Sequence, residues 1–434
     1  MTSSRTRIRE SLLARVWEGQ WLRRGPLSTD DGREVRVRSP GHENTDSGPD
    51  FLDAVIILDD EIITGDIELH LRSSDWRSHA HHLDPHFNSV ILQVVLWHDS
   101  TTPARLQNGR IVPTVPLHEH LDGSLDDLEL RRGKSEMPLW PCHNVLGRFE
   151  AEQIGKILER NGAERFYVKA AAFEMELLTE DPPEVLYRGL MGALGYVKNK
   201  GAFRELARRL PLSVLEGFAR ECRPEDRKRI LQGLLLGGAG LLPSQCEGKS
   251  FIADSEFTAE MEAVWRSLGN RSSMSRADWH FFRMHPRNFP TNRLLGAAEL
   301  IERHLEKGLL SAAVSAVNAA AAGERTGLLE DAFMVRGLVG RGRAREMVIN
   351  VILPFCFAWD GVNASGASNE RAFDLYRRYP KSGGNRITRL LGEMLGSGRA
   401  CPIVRGAVGQ QGLIHIYKVF CKTGRCGICP LNPV

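Results

Sequence analysis

Gly41 to Trp76 reads GHENTDSGPDFLDAVIILDDEIITGDIELHLRSSDW, and the interpretation of this stretch decides the fold. Two apolar, β-branched runs, Phe51 to Leu58 and Ile62 to Leu71, flank the acidic pair Asp59-Asp60, the pattern of two strands joined by a tight turn. In the second run Ile63, Ile67, Leu69 and Leu71 occupy odd positions, while Asp66, Glu68 and His70 occupy even ones. Successive side chains of a strand leave opposite faces of the sheet. One face therefore packs, and the other presents two acids and an imidazole.

The first strand opens on Gly48-Pro49-Asp50, so a hairpin carries Asp50 toward Glu68. Two carboxylates held close repel, and they share either a proton or a divalent cation. Oxygen ligands select Mg2+ or Mn2+, which beside a phosphate activates water and stabilises the leaving oxygen. The expectation is phosphodiester hydrolysis, with metal at Asp50 and Glu68 and with His70 stabilising charge or positioning water. Each acid also has a plainer explanation: Pro-Asp is a common turn dipeptide, and charges on an edge strand discourage sheet association.

The order helix, strand, Pro-Asp, hairpin, acid-x-base, helix, strand resembles the PD-(D/E)xK nuclease superfamily. That resemblance implies a restriction-endonuclease-like α+β domain, a mixed sheet flanked by helices. Asp50 would match the first acid, Glu68 the second, and His70 the position of the family lysine. Residues 1 to 133 contain no lysine. The role falls to His70, which is charged only when protonated, to Arg72, to one of His79, His81 and His82, or to nothing. An inactive nuclease-fold protein, acting as a nucleic-acid-binding or assembly factor, stays open beside the enzyme. The wording of the whole chain, with NTDSGPDF, GDIELHLRSSDW and HAHH early and QQGLIHIY and CPL late, also resembles a bacterial family designated domain of unknown function 2851. That family brings no activity with it.

Outward from the hairpin, Arg7 to Leu22 is helical by periodicity, with a stripe of Leu12, Leu13, Val16, Trp17 and Trp21. Glu18 and Gln20 on this helix could reach the site, although a solvated helix face is the commoner explanation, and neither is assigned as a ligand. Val90 to Trp97 reads as a strand covered on both faces, in which Gln93 needs a partner. Between these strands lies RSHAHHLDPHFN, where helical spacing puts His79 and His82 on one face. They are expected to contact phosphate at the mouth of the site; a zinc site is the alternative, although HExxH is lacking.

With 434 residues, 42% hydrophobic and 26% charged, the chain is an ordinary globular protein of two or three domains. The expected division is a nuclease-like domain over 1–121, a linker over 122–147, an all-α domain over 148–400, and a helix with a Cys-rich knuckle over 401–434. Long periods rich in Ala, Leu, Glu and Arg support the helical part. Within it, Arg283, Arg287 and Arg293 surround a helix start at Pro290 and are candidates for contacting a nucleic-acid backbone, DNA first. The stretch GLVGRGRAR (337–345) lacks the lysine and hydroxyl of a Walker loop.

A net charge of +3 neither demands nor excludes nucleic acid. No leader and no apolar run of about 20 residues is present, so the expected location is cytoplasmic, without a membrane partner. In a reducing compartment the cluster Cys401, Cys421, Cys426 and Cys429, with its C-x4-C-x2-C spacing, points to Zn2+ or an iron–sulfur cluster. Cys401 is the fourth ligand by nearness in sequence, and Cys142, at the exit of the first domain, is the runner-up.

Overall fold

The computed structural model describes residues 9–44, 47–130, 142, 145–246, 254–267, 269, 272–282, 284–323, 327–363, 369–395 and 403–432. The chain forms two compact units, one of residues 1–154, 386–401 and 414–434, the other of residues 155–385 and 402–413. The architecture is α+β, as expected.

In the first unit the strands are β1 (Leu27–Ser28), β2 (Glu34–Ser39), β3 (His42–Glu43), β4 (Phe51–Leu58), β5 (Glu61–Arg72), β6 (Val90–Trp97), β7 (Ala104–Arg105), β8 (Ile111–Val112) and β9 (Thr114–Pro116). The main sheet runs β1-β2-β4-β5-β6-β9, with β3 added to β4, while β7 and β8 make a separate ribbon. Neighbours up to β5 are antiparallel; β6 and β9 are parallel additions. The β4–β5 turn places Asp59 and Asp60 at φ 49° and 68°, the left-handed pair a tight hairpin requires.

Helix α1 (Glu10–Gly19) lays Leu12, Leu13, Val16 and Trp17 on one face of the sheet, against Phe51, Ile56, Ile67, Leu69, Leu92 and Val94. The opposite face is covered by Trp76, Phe87, Leu106 and Val112. Covered on both sides, β6 buries every residue from Val90 to Leu96. The crossover from β5 to β6 consists of one helical turn, α2 (Asp75–Ser78), and two 3-10 turns, His81–Leu83 and Pro85–Phe87. Trp76 anchors it by donating its indole N–H to the Arg105 carbonyl at 3.0 Å.

One irregularity matters for the site. Phe51 pairs with Ile67, but Ala54 pairs with Gly65, so Leu52 and Asp53 together face the single residue Asp66. Such a bulge changes the register by one. Asp53 takes φ 57°, and its N–H is held by the Asp66 carboxylate at 3.0 Å.

The stretch expected as a linker carries α3 (Leu125–Leu130), whose Leu128 is fully buried in the core beneath α1. Residues 131–141, 143 and 144 of that stretch lie outside the described residues.

The second unit is helical. The long helix α4 (Ala151–Leu177) and α5 (Pro182–Leu194) open it, and Leu235, Leu294, Phe333, Ile349, Phe355 and Tyr376 belong to its continuous core. GLVGRGRAR is consumed by packing there. Arg341 and Arg345 pair with the buried Glu330 at 2.9 and 2.6 Å, and the Arg343 guanidinium stacks on the Tyr196 ring. Among the described residues no helix is long and apolar enough to cross a membrane.

Candidate metal centre

The bulge at Leu52–Asp53 sets the register that brings the two acids together. Continued one residue from Phe51–Ile67, the pairing puts Asp50 opposite Glu68, and directly opposed residues of an antiparallel pair share a face. The Asp50 N–H donates to Glu68 Oε2 at 3.0 Å, and Asp50 Oδ2 accepts from the Leu69 N–H at 3.0 Å. Asp66, third on the same face by alternation, is spent on the Asp53 N–H and the Ser89 hydroxyl.

Glu68 is 6% exposed and His70 is 1% exposed. Among the described residues no lysine or arginine pairs with Asp50 or Glu68; the partners of Glu68 are imidazoles. Burial, then the Glu68 charge, pushes Asp50 up to about 7. Burial likewise pushes Glu68 up to about 8. Glu10, in the first turn of α1, adds negative potential to both. Burial and the neighbouring histidines hold His70 down at about 3, so it is neutral and supplies no lysine-like charge.

Three donor atoms form a triangle. Glu68 Oε1 lies 3.1 Å from His81 Nε2 and 3.7 Å from His70 Nε2, and the two imidazole nitrogens are 3.2 Å apart. Ligands about 2.1 Å from a tetrahedral ion stand about 3.4 Å apart, so these edges fit one cation. His79 completes the set: its ring centre is 5.1 Å from that of His70, and one donor atom each of His70, His79 and His81 lies within 4.8 Å of the others.

The surroundings fix the rings. Gln93 on β6 lies opposite Glu68, and its Nε2 stands 3.1 Å from His70 Nδ1 while its Oε1 accepts from Thr114 on β9 at 3.0 Å. His81 packs on Phe87, ring centres 3.9 Å apart, and against the edge of Trp76.

Sequence spacing points to His79 with His82, whereas the structure joins His79 with His81. The helix ends after Ser78, and Ala80 adopts φ 60°, which turns His81 back over His70. His82 instead has a buried Nδ1 without a partner. Glu10, the acid α1 contributes, carries no mark in the sequence that sets it apart from other acids of a first helical turn. Gln20 bonds the Trp17 carbonyl of its own helix, and Glu18 has Glu43 and Arg386 as its charged neighbours. A lysine does reach the hairpin, from the tail: Lys422 pairs with Asp53 at 2.7 Å, and Tyr417 bonds the same carboxylate at 3.3 Å.

Of the expected nucleic-acid contacts in the helical unit, Arg287 is exposed. Arg293 is turned inward, 5% exposed, and is hydrogen-bonded to Tyr196, Asn288 and the Leu338 carbonyl. Arg283 and Cys401 lie outside the described residues. Cys421 and Cys429 are buried, Cys426 is half-buried, and all three are free thiols.

No curated protein and no solved structure gives a significant match to the chain. The family described as "Protein of unknown function (DUF2851)" matches residues 10–325, a span that takes in α1, the whole sheet, the histidine–carboxylate cluster and much of the helical unit. The chain belongs to that DUF2851 family.

Proposed function

We propose that this protein is a metal-dependent phosphodiester hydrolase of nuclease type, with DNA as the first substrate to test. The observation that carries the reading is the convergence of Asp50 and Glu68 on one side of the β4–β5 hairpin, together with His70 and His81. Support also comes from the element order: a helix, five antiparallel strands of which β2, β4 and β5 are the long ones, a short helical crossover and a parallel strand follow one another in the order expected of a PD-(D/E)xK, restriction-endonuclease-like domain.

Asp50, Glu68, His70 and His81 would hold the ion, with His79 at its exposed side. Of the two ions the acids suggest, the added imidazoles favour Mn2+ over Mg2+, with Zn2+ as a further possibility. Such an ion supplies a Lewis acid beside the scissile phosphate and lowers the pKa of water. The chain's own residues do the rest. Asp50 and Glu68, ionised once they hold the ion, would position the attacking water and accept its proton. The apolar wall of Trp76 and Phe87 keeps the His81 ring in place.

One observation favours the second reading, a nuclease-fold protein that binds nucleic acid or serves in assembly without cutting it. The base position of the acid-x-base pattern, His70, two residues after Glu68, holds a neutral imidazole. Assays on single- and double-stranded DNA, and on RNA, with Mn2+, Mg2+ or Zn2+ separate the two. Hydrolysis lost in both Asp50→Ala and Glu68→Ala supports the enzyme; binding without cleavage under every metal supports the alternative.

A further inference from the structure

The tail sequence Tyr417 to Asn432, YKVFCKTGRCGICPLN, folds as a series of tight turns. A π-helical turn, Tyr417–Cys421, ends on the first cysteine. Gly424 then takes φ 67° and donates its N–H to the Cys421 carbonyl at 3.1 Å. A side chain at Gly424 would come within 2.9 Å of Ile62 and 3.1 Å of Val55, so this turn presses on the β4–β5 hairpin. A 3-10 turn, Cys426–Ile428, carries the second cysteine and leads to the third, Cys429.

Backbone amides face the last sulfur. The Asn432 N–H donates to the Cys429 carbonyl at 2.9 Å, and the Leu431 and Asn432 amides lie near enough to the Cys429 thiol to favour its ionised form. The Asn432 side chain holds the Cys426 carbonyl at 3.1 Å, and its own oxygen accepts from Arg148 at 3.4 Å. That arginine neighbours Cys142, whose thiol lies in electrostatic range of Cys426 and Cys429; Cys421 in turn has Cys142, Cys426 and Cys429 around it. None of the four is in a disulfide.

We propose that Cys142, Cys421, Cys426 and Cys429 form a tetrathiolate metal centre that takes Zn2+ or an iron–sulfur cluster. Three thiolates at C-x4-C-x2-C with a fourth far away in sequence is a ligand spacing that iron–sulfur proteins use, and four cysteines also close a structural zinc site. Binding Zn2+ releases four protons and leaves a charge of minus two on the centre. Arg38, beside Cys426, and Arg148, beside Cys142, offset that charge, and the amides at Cys429 orient its lone pairs as outer-shell donors do. The centre ties Cys142 to the tail turn. It stands on residues separate from the hydrolase site, so it survives or fails independently of that reading.

The test is metal and sulfide analysis, with visible absorption, of the full-length protein purified without oxygen. Stoichiometric zinc with a featureless spectrum identifies the zinc form; iron, sulfide and charge-transfer absorption identify the cluster. Either form should be lost in Cys142→Ser and Cys429→Ser and kept in Cys401→Ser, Cys222→Ser and Glu68→Ala. Where Cys142→Ser fails to fold, cobalt substitution decides: wild type gives a four-sulfur tetrahedral spectrum, and Cys142→His shifts it to three sulfurs and one nitrogen. Metal-free native protein whose thiols all react freely with a disulfide reagent overturns the proposal. So does a metal kept in Cys142→Ser and lost in Cys401→Ser.

Discussion

Gln93 Nε2 stands 3.1 Å from Nδ1 of His70, and the same amide nitrogen is 3.3 Å from the Ser73 carbonyl. A neutral His70 that accepts at Nδ1 carries its proton on Nε2, the atom facing Glu68 and His81. Coordination through Nε2 requires the proton to move to Nδ1 and the Gln93 amide to turn its oxygen toward the ring. Gln93 is therefore a positioning residue, and its loss weakens metal binding without removing a ligand. Gln93→Ala should lower Mn2+ or Zn2+ affinity by about 10–100-fold, read by isothermal titration. Unchanged affinity would mean that His70 does not bind through Nε2.

The two neighbours His81 and His82 have different fates. His81 lies 3.1 Å from Glu68, whereas His82 is not among the donors that converge on His70. His81→Ala should cost more metal affinity than an outer-shell loss, beyond about 100-fold, while His82→Ala stays below about tenfold. Equal effects of the two substitutions would contradict the assignment of the ligand.

Stability should depend on pH in a defined window. Asp50 and Glu68 keep their protons in the folded chain up to about 7 and about 8, whereas unfolded carboxyls release theirs near about 4. Between those limits the folded state binds more protons, so stability falls as pH rises. His70 and His81, held below their ordinary value, act in the opposite sense, but that contribution is complete above about 6.5. From about pH 6.5 to about pH 8 the carboxyls decide. The Tm of chelator-treated protein should drop across this window, and saturating Mn2+ should flatten the drop by replacing the protons. A Tm independent of pH without metal would show that both carboxyls are already ionised in the fold.

The hairpin, the buried strand and the amphipathic first helix are legible in the sequence because periods of two and 3.6 residues and an Asp-Asp turn leave direct marks. Gln93 is legible as a residue needing a partner for the same reason: it interrupts an apolar strand. His81 was not, since an alanine at φ 60° breaks the helical spacing that favours His82, and alanine gives no warning of a left-handed turn. Glu10 resembles an ordinary acid in the first turn of a helix, where the dipole welcomes it. The arginines of GLVGRGRAR look free in sequence, because their partner Glu330 precedes them by more than a helical turn and is identified only by packing.

Removing that partner should be costly. Glu330 is 2% exposed and accepts from Arg341, Arg345 and Tyr379. Glu330→Ala leaves Arg345 partly buried without its counter-charge and should destabilise the chain by about 3–5 kcal/mol in chemical denaturation. Replacing Glu330 and Arg345 together by methionine should recover much of the loss. A single substitution within about 0.5 kcal/mol of wild type would place the pair outside the stabilising core.

The extra residue at Leu52–Asp53 has a consequence for insertions and deletions. Were both Leu52 and Asp53 paired within the ladder instead of bulged, the register from Ala54–Gly65 would run on so that Asp50 stood opposite Leu69, on the side that packs beneath α1. The acid would then be driven into the apolar interior while Glu68 stayed outside. Deleting either Leu52 or Asp53 would straighten the ladder and leave Asp50 opposite Glu68, so it is the bulging-out of one residue, parity rather than chemistry, that keeps the two acids in company.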